Sequence, residues 1–153
     1  MRHGVVVATV PIAAALLALA VACSDPASST GTIELTVLTD RATYSLATDS
    51  AAEPILINRG SARVYLPMNE YVAVQRFEAG AWSESRPWFA VDGIGVSFPV
   101  EPGDTLRSWP MSFRYVDSAP GVYRFIFEIA KDPNGREIVN ESLRVSTPFE
   151  LTQ

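Results

Sequence analysis

Alternation of apolar and polar residues with a period of two is the feature that most limits how this chain can fold. The odd-numbered residues from Tyr123 to Ile129 are all large and apolar, whereas the even-numbered positions 122–128 hold Val, Arg, Ile and Glu. Such a pattern places one set on the buried face of a β-strand and the other set on the opposite face. No stretch has apolar residues at helical spacing, with caps, over a useful length. The sequence therefore predicts an all-β fold.

Turn residues separate further short stretches of strand character. These stretches are residues 32–37, 55–58, 64–66, 71–77, 82–85 and 94–100. Glu78–Ala81 contains Gly80 and suits the loop of a hairpin, and Asp132–Gly135 is a strong turn because Asn-Gly tolerates positive φ. After this turn we predict a return strand over residues 137–147, with Leu143 and Val145 inward and Ser146 outward. Seven to eight such strands indicate an antiparallel sandwich.

The chain starts with an almost unbroken apolar run from Gly4 to Ala22, followed by its only cysteine, Cys23. A short cationic start, an apolar middle and small residues before a cut site are typical of a secretory signal peptide. With Cys directly after the cut, the segment resembles the lipobox of bacterial lipoproteins. The resemblance implies cleavage between Ala22 and Cys23, with lipid such as palmitate on Cys23. It further implies a protein held by that lipid on the cell envelope: at the outer membrane if there is one, otherwise on the outer face of the cytoplasmic membrane.

Two alternatives to lipidation stay open. Ala20-Val21-Ala22 also fits an ordinary signal peptidase site, which would give a secreted protein without lipid. The run has 19 residues, close to the ~20 that span a bilayer, so an uncleaved anchor is the third reading. In the first two cases the chain divides into a signal peptide (1–22), a flexible Ser/Pro/Gly-rich tether (23–31) and one domain (32–153).

Four short motifs resemble those of bacterial immunoglobulin-like domains and occur in the family's order. They are Ile57–Ser61 ("x-N-x-S"), Gly80–Trp82 ("G-x-W"), Val100–Leu106 ("x-L-x-PGE/D") and Pro120–Phe125 ("PG-x-YR"). The resemblance implies an immunoglobulin-like sandwich without the disulfide of antibody domains. It also implies that Tyr123 forms a tyrosine corner, in which the hydroxyl bonds to upstream backbone. A more distant resemblance to bacterial intracellular proteinase inhibitors rests on the same "PG-x-Y" motif.

Residues suited to catalysis or metal binding are few. The only histidine, His3, leaves with the leader, and Cys23 becomes the N-terminus, so we expect no catalytic residue, metal site or cofactor. Asp132, Asn134 and Gly135 suggest a calcium loop, but the further ligand position is Ala130, which favours a simple turn. Loss of Arg2 changes the formal net charge from −5 to −6. That sign argues against nucleic acid as a partner.

The stretch with the weakest alternation, residues 85–95, carries the aromatic pair Trp88 and Phe89. Either these side chains plug the core, or they form an exposed contact loop for an envelope protein or glycan. Trp82 and Trp109 are expected in the core or on a sheet face. Together these features predict a non-catalytic, lipid-anchored envelope lipoprotein whose domain is a binding module or a structural module. A proteinase inhibitor and a secreted, non-lipidated binding domain are the alternatives.

Overall fold

A computed structural model describes residues 30–67, 72–83, 86–87, 97–115 and 119–153. The structure confirms the predicted all-β sandwich, although the strands are shorter and more numerous than the sequence indicates. In the described residues the strands are β1 (Leu35–Thr39), β2 (Thr43–Ser45), β3 (Ala51–Ala52), β4 (Pro54–Asn58), β5 (Val64–Pro67), β6 (Val72–Glu78), β7 (Ala81–Trp82), β8 (Arg86–Pro87), β9 (Ser97–Val100), β10 (Thr105–Arg107), β11 (Met111–Ser112), β12 (Gly121–Phe127) and β13 (Phe149–Thr152). Two 3₁₀ turns lie at Phe113–Tyr115 and Glu141–Leu143.

Two sheets form the layers of the sandwich. In one, β4 lies between β1 and β10, and both pairings are antiparallel. The other has the order β2-β13-β12-β6-β7, with β8 also paired to β6. Its strands pair antiparallel except for β2 and β13, which run parallel. Short pairs β3–β11 and β5–β9 complete the structure.

The core fills the space between the two sheets with alternate residues from each strand. The first sheet contributes Leu35, Val37 and Leu56, and the second contributes a cluster of aromatic rings. The ring of Phe149 stacks on that of Phe125 at 4.9 Å between centroids and meets Tyr44 edge-on at 5.6 Å. Such ring pairs add about 0.5–1.5 kcal/mol each beyond the area that they bury. The aromatic cluster therefore joins β2, β12 and β13 from the inside.

Both predicted turns are confirmed. The β6–β7 hairpin closes through Ala79 (φ 51°) and Gly80 (φ 85°), a pair of positive φ angles that suits a two-residue hairpin loop. Gly135 has φ 69° in the second turn. There the Asp132 carboxylate accepts hydrogen bonds from the backbone N–H groups of Asn134, Arg136 and Glu137. The aspartate is thus fully used in closing the turn.

The predicted return strand over residues 137–147 is wrong. This segment meets its neighbours only through isolated bridges, and the 3₁₀ turn Glu141–Leu143 interrupts it. Asn140 causes the interruption, since its side chain accepts a hydrogen bond from the N–H of Ser142 and so competes with strand pairing. The strand that pairs with β12 is β13, later in the chain.

Three side chains have a burial that the alternation pattern does not predict. Ser146, expected outward, is buried and accepts a hydrogen bond from the N–H of Phe125 at 2.9 Å. Ile126, on the more polar face of its strand, is also buried. Trp109, expected in the core or on a sheet face, is 72% exposed in the connection between β10 and β11. The preceding residue, Ser108, is buried in this connection.

Within the described ranges, no helix has the length and apolar character needed to cross a membrane.

Candidate functional site

Of the site residues predicted from sequence, only Tyr123 lies among those that the structure describes. Ala22, Cys23, Trp88 and Phe89 all fall outside the described residues. Pro87, the residue before Trp88, belongs to β8 at the side of β6. The lipid attachment site and the contact loop therefore stay predictions.

Tyr123 is buried at the start of β12, and its hydroxyl donates to the carbonyl oxygen of Ala119 at 2.7 Å. This bond reaches back four residues along the chain, as expected of a tyrosine corner. The ring stacks on Phe149 at 5.9 Å between centroids. Arg76 supports the same turn, because its Nη2 donates to the Pro120 carbonyl oxygen at 2.9 Å. Tyr123 and Arg76 thus bind the carbonyl groups of two neighbouring residues, and this arrangement stabilises the turn before β12.

A second cluster fixes the junction of β1 and β2. The buried Tyr44 hydroxyl donates to Asp40 Oδ1 at 2.6 Å and accepts from the Arg41 N–H at 3.1 Å. Asp40 Oδ1 also accepts from the Glu53 N–H, and Arg41 bridges to Asp49 at 2.9 Å. Burial acts to raise the pKa of Asp40, but hydrogen bonds from Tyr44, Glu53 and Arg41 outweigh it, so the pKa is lowered. Each polar group is satisfied here, and the cluster stabilises the fold.

The outer face of the larger sheet carries the group of side chains best suited to contact a partner. We call Phe77, Trp82, Val122 and Arg124 the outer patch. Phe77 pairs directly with Trp82 across β6 and β7, and these residues lie on the face opposite the buried Val74. Continuing the β6–β12 register by one residue brings Val122 opposite Phe77. Side chains directly opposite on neighbouring strands share a face and touch.

Contacts within the outer patch hold Trp82 in place. Phe77 meets its ring edge-on at 5.2 Å between centroids, and the Arg124 guanidinium carbon lies 4.5 Å from the ring centroid. Arg124 is itself fixed, since its Nε donates to Gln75 Oε1 at 2.6 Å and its Nη2 to Glu141 Oε1 at 2.9 Å. A cation over an aromatic face contributes about 0.5–1 kcal/mol at an exposed site. The ring is thus ordered before any partner arrives.

Exposure of the outer patch distinguishes it from the rest of the sheet. Phe77 is 45% exposed and Val122 38% exposed. Both lie beside the pre-ordered Trp82 and Arg124, and Trp and Arg are residue types enriched in interaction hot spots. The residue types of the outer patch therefore favour binding of a partner through side-chain packing.

Sequence reasoning missed the outer patch, because it read these residues only as strand-forming. A signal was present: Val122 and Phe77 are apolar at positions that alternate with the core set. What the sequence does not give is the register that brings three separate strands together.

The part of the chain that the structure describes holds no group of three His, Cys, Asp or Glu side chains placed to bind a metal ion. Asp132, considered above for calcium, has its pKa lowered mainly by the backbone N–H of Glu137, with further lowering by those of Asn134 and Arg136. Its carboxylate therefore caps the turn.

A scan of protein-family models and a search of curated proteins gave no match. Among solved structures, the chain is similar to an alkylpurine DNA glycosylase from Pseudomonas fluorescens bound to DNA with an abasic site analogue (TM-score 0.42, 13% identity, 79% of this chain, 30% of that one). It is also similar to a β-glucosidase from Listeria innocua in complex with gluconolactone (TM-score 0.39, 11% identity, 82% of this chain, 17% of that one). A β-glucosidase of saponin metabolism from intestinal bacteria gives a TM-score of 0.34 at 14% identity, with 81% of this chain and 16% of that one covered. The chain spans less than a third of each of these proteins. At such TM-scores the likenesses carry no argument about function.

Proposed function

We propose that this chain is a non-catalytic lipoprotein of the bacterial cell envelope, whose immunoglobulin-like sandwich binds a partner or serves structure at the end of a lipid tether. The observation that carries the proposal is Cys23, the only cysteine, at the boundary between the apolar run and the tether. Two or more acyl chains on one residue anchor a protein stably, while one chain gives only marginal membrane residence. A mature lipoprotein of this type carries at least two.

The position of the first strand supports a tethered domain. β1 begins at Leu35, and Thr32 already bonds to the loop before β5, since its carbonyl oxygen accepts from the N–H groups of Ser61 and Ala62. The eight residues 24–31 between Cys23 and this first contact are mostly Ser, Pro, Ala and Gly. A flexible linker of that length has an r.m.s. span of about 16 Å. The sandwich would then work close to the membrane surface.

The non-catalytic part of the proposal rests on the residue inventory. After loss of the leader, the chain contains no histidine and its one thiol is at the N-terminus. Hydrolysis through a Ser, Thr or Cys nucleophile needs a base beside that nucleophile, and neither polar cluster described above supplies such a pair. In both, the tyrosine hydroxyls and the carboxylates bond to one another or to backbone.

Metabolic labelling with an alkyne-bearing fatty acid tests the proposal. We expect the wild-type protein to take up label and to fractionate with membranes. Cys23→Ser should take up none, and should appear either in the soluble fraction, released through the Ala20-Val21-Ala22 site, or as an uncut precursor. Ser24→Ala is the matched control, since it changes the neighbouring residue and keeps the thiol.

The mass of the mature wild-type protein separates the three readings of the leader. A chain that starts at Cys23 with added acyl mass supports the lipoprotein, and one that starts at Cys23 without it indicates plain secretion. A full-length mass with no label indicates an uncleaved anchor, and the lipid proposal then fails.

A further inference from the structure

The outer patch leaves an apolar surface that the domain's own chain does not use in its core. Tyr123 and Phe125 alternate with Val122 and Arg124 on β12, so the core takes the first pair and the second pair faces outward. Phe77 and Trp82 extend this outward surface over β6 and β7. An apolar group of this kind, rimmed by polar residues, marks an interaction site.

The polar groups beside Trp82 argue for a protein partner over a glycan. A sugar that stacks on Trp82 needs free hydrogen-bonding groups beside that ring, and the exposed Glu150 on β13 lies three strands away from Trp82 on β7. Arg124, whose guanidinium lies over the ring, already donates hydrogen bonds from its Nε to Gln75 and from its Nη2 to Glu141. What the outer patch offers to an incoming molecule is chiefly apolar area, an edge-on aromatic pair and fixed charge. Those are the features of protein hot spots.

The charges around the outer patch indicate the sign of the charge that the partner carries. Glu150 on β13 pairs directly with Val122 and is exposed on the same face. Glu141 keeps 55% of its side chain exposed although it bridges to Arg124. Among the described residues, Arg124 is offset by Glu141, whereas Glu150 forms no ion pair. The chain as a whole carries a formal net charge of −5.

We propose that the outer patch is the docking surface for a protein segment in which an apolar side chain is flanked by Lys or Arg. The apolar side chain packs against Trp82, Phe77 and Val122, while a basic neighbour meets Glu150. This inference rests on the proposed function, because it names the kind of partner that the envelope module binds.

Photo-crosslinking in the cells that produce the protein tests the inference on the full chain. The photoreactive residue p-benzoylphenylalanine replaces Phe77, an exchange of one exposed aromatic for another. The matched control carries the same residue at Trp109, which is also exposed but belongs to the β10–β11 connection outside the larger sheet. We expect a protein adduct from position 77 that position 109 does not give. Mass spectrometry should place the attachment at an apolar residue next to Lys or Arg.

Second-site variants then test the contacts one at a time. Trp82→Ala should lower the yield of the position-77 adduct by about tenfold or more, as loss of a hot-spot aromatic does. Glu150→Lys should also lower it, while Glu137→Lys, on a glutamate that is 71% exposed in the turn after Lys131, should leave it unchanged. Val122→Thr is the mild variant, because threonine keeps strand propensity and removes apolar contact. Circular dichroism and a thermal melt check that each variant keeps the fold.

Several results would overturn the inference. They are an adduct that carries saccharide or lipid in place of peptide, an adduct with a second copy of this chain, an adduct shared with position 109, or no adduct. A yield that rises in Glu150→Lys would show an acidic partner and would reject the charge argument. The anchoring proposal fails separately: if the wild type takes up no fatty acid but the adduct forms, the docking surface stands without the lipid.

Discussion

Replacement of Tyr123 with phenylalanine removes one hydroxyl from the interior and keeps the ring. The ring retains its stacking on Phe149, and the burial of apolar area at β12 stays the same. The substitution removes the hydrogen bond of 2.7 Å from the hydroxyl to the carbonyl oxygen of Ala119. This substitution therefore isolates the contribution of the tyrosine corner from that of core packing.

The expected cost follows from the surroundings of the two bonding groups. Removing one partner of a buried hydrogen bond costs about 1–3 kcal/mol, because the other partner loses its compensation. Ala119 is half-buried, so water can reach its carbonyl oxygen and recover part of the loss. We therefore expect Tyr123→Phe to lower the free energy of unfolding by about 1–2 kcal/mol. Arg76, which holds the adjacent Pro120 carbonyl, should keep the turn closed in the variant.

Urea denaturation followed by tryptophan fluorescence measures this cost. The midpoint should fall while the dependence of unfolding free energy on denaturant stays at the wild-type value, since the folded surface is unchanged. Far-ultraviolet circular dichroism should show the same strand content. A midpoint equal to that of the wild type would refute the reasoning, because the hydroxyl would then contribute nothing to stability.

Asp40 and the buried Asn58 give two further predictions about stability. Because the folded state lowers the pKa of Asp40, its stabilising effect is complete above the unfolded value near 4 and is lost as the pH falls through the lower folded value. Asp40→Asn keeps an oxygen that accepts from Tyr44, so chemical denaturation at a series of pH values should show a weaker loss of stability in acid than the wild type shows. Asn58 is fully buried and its Nδ2 donates to the carbonyl oxygens of Ala62 and Val100. Asn58→Asp turns that donor into an acceptor facing two others, and should lower the free energy of unfolding by about 3 kcal/mol or more at neutral pH. A variant with a wild-type melting temperature would contradict that expectation.

The fold could be predicted as far as side-chain alternation reports burial. Residues 121–125 follow the pattern, and Tyr123, Phe125 and Phe127 are all buried as expected, although Ile126 between the last two is buried as well. The pattern fails where side chains bond to nearby backbone. Serine is usually a surface residue, yet the Ser146 hydroxyl accepts a hydrogen bond from the N–H of Phe125 and the side chain is buried.

The candidate site was less accessible to sequence reasoning. The loop Glu78–Ala81 predicts a hairpin, which is confirmed, and Trp82, expected in the core or on a sheet face, lies on a sheet face. The partner of Trp82 across the sheet, Arg124, lies 42 positions later in the chain. Their contact depends on the pairing of β6 with β12, and pairing between distant strands is set by the whole core. Local residue patterns carry no information about it.

The position of β13 inside the larger sheet has a consequence for the order of assembly. This strand lies between β2 and β12, and its residues Phe149 and Leu151 complete the core. β2 and β12 both precede β13 in the chain, so β2 joins this sheet only through a strand that follows both of them. The larger sheet is therefore complete only when residues 149–152 lie between residues 43–45 and residues 121–127. Deletion of residues 148–153 should remove Phe149 and Leu151 from the core and detach β2 from the larger sheet.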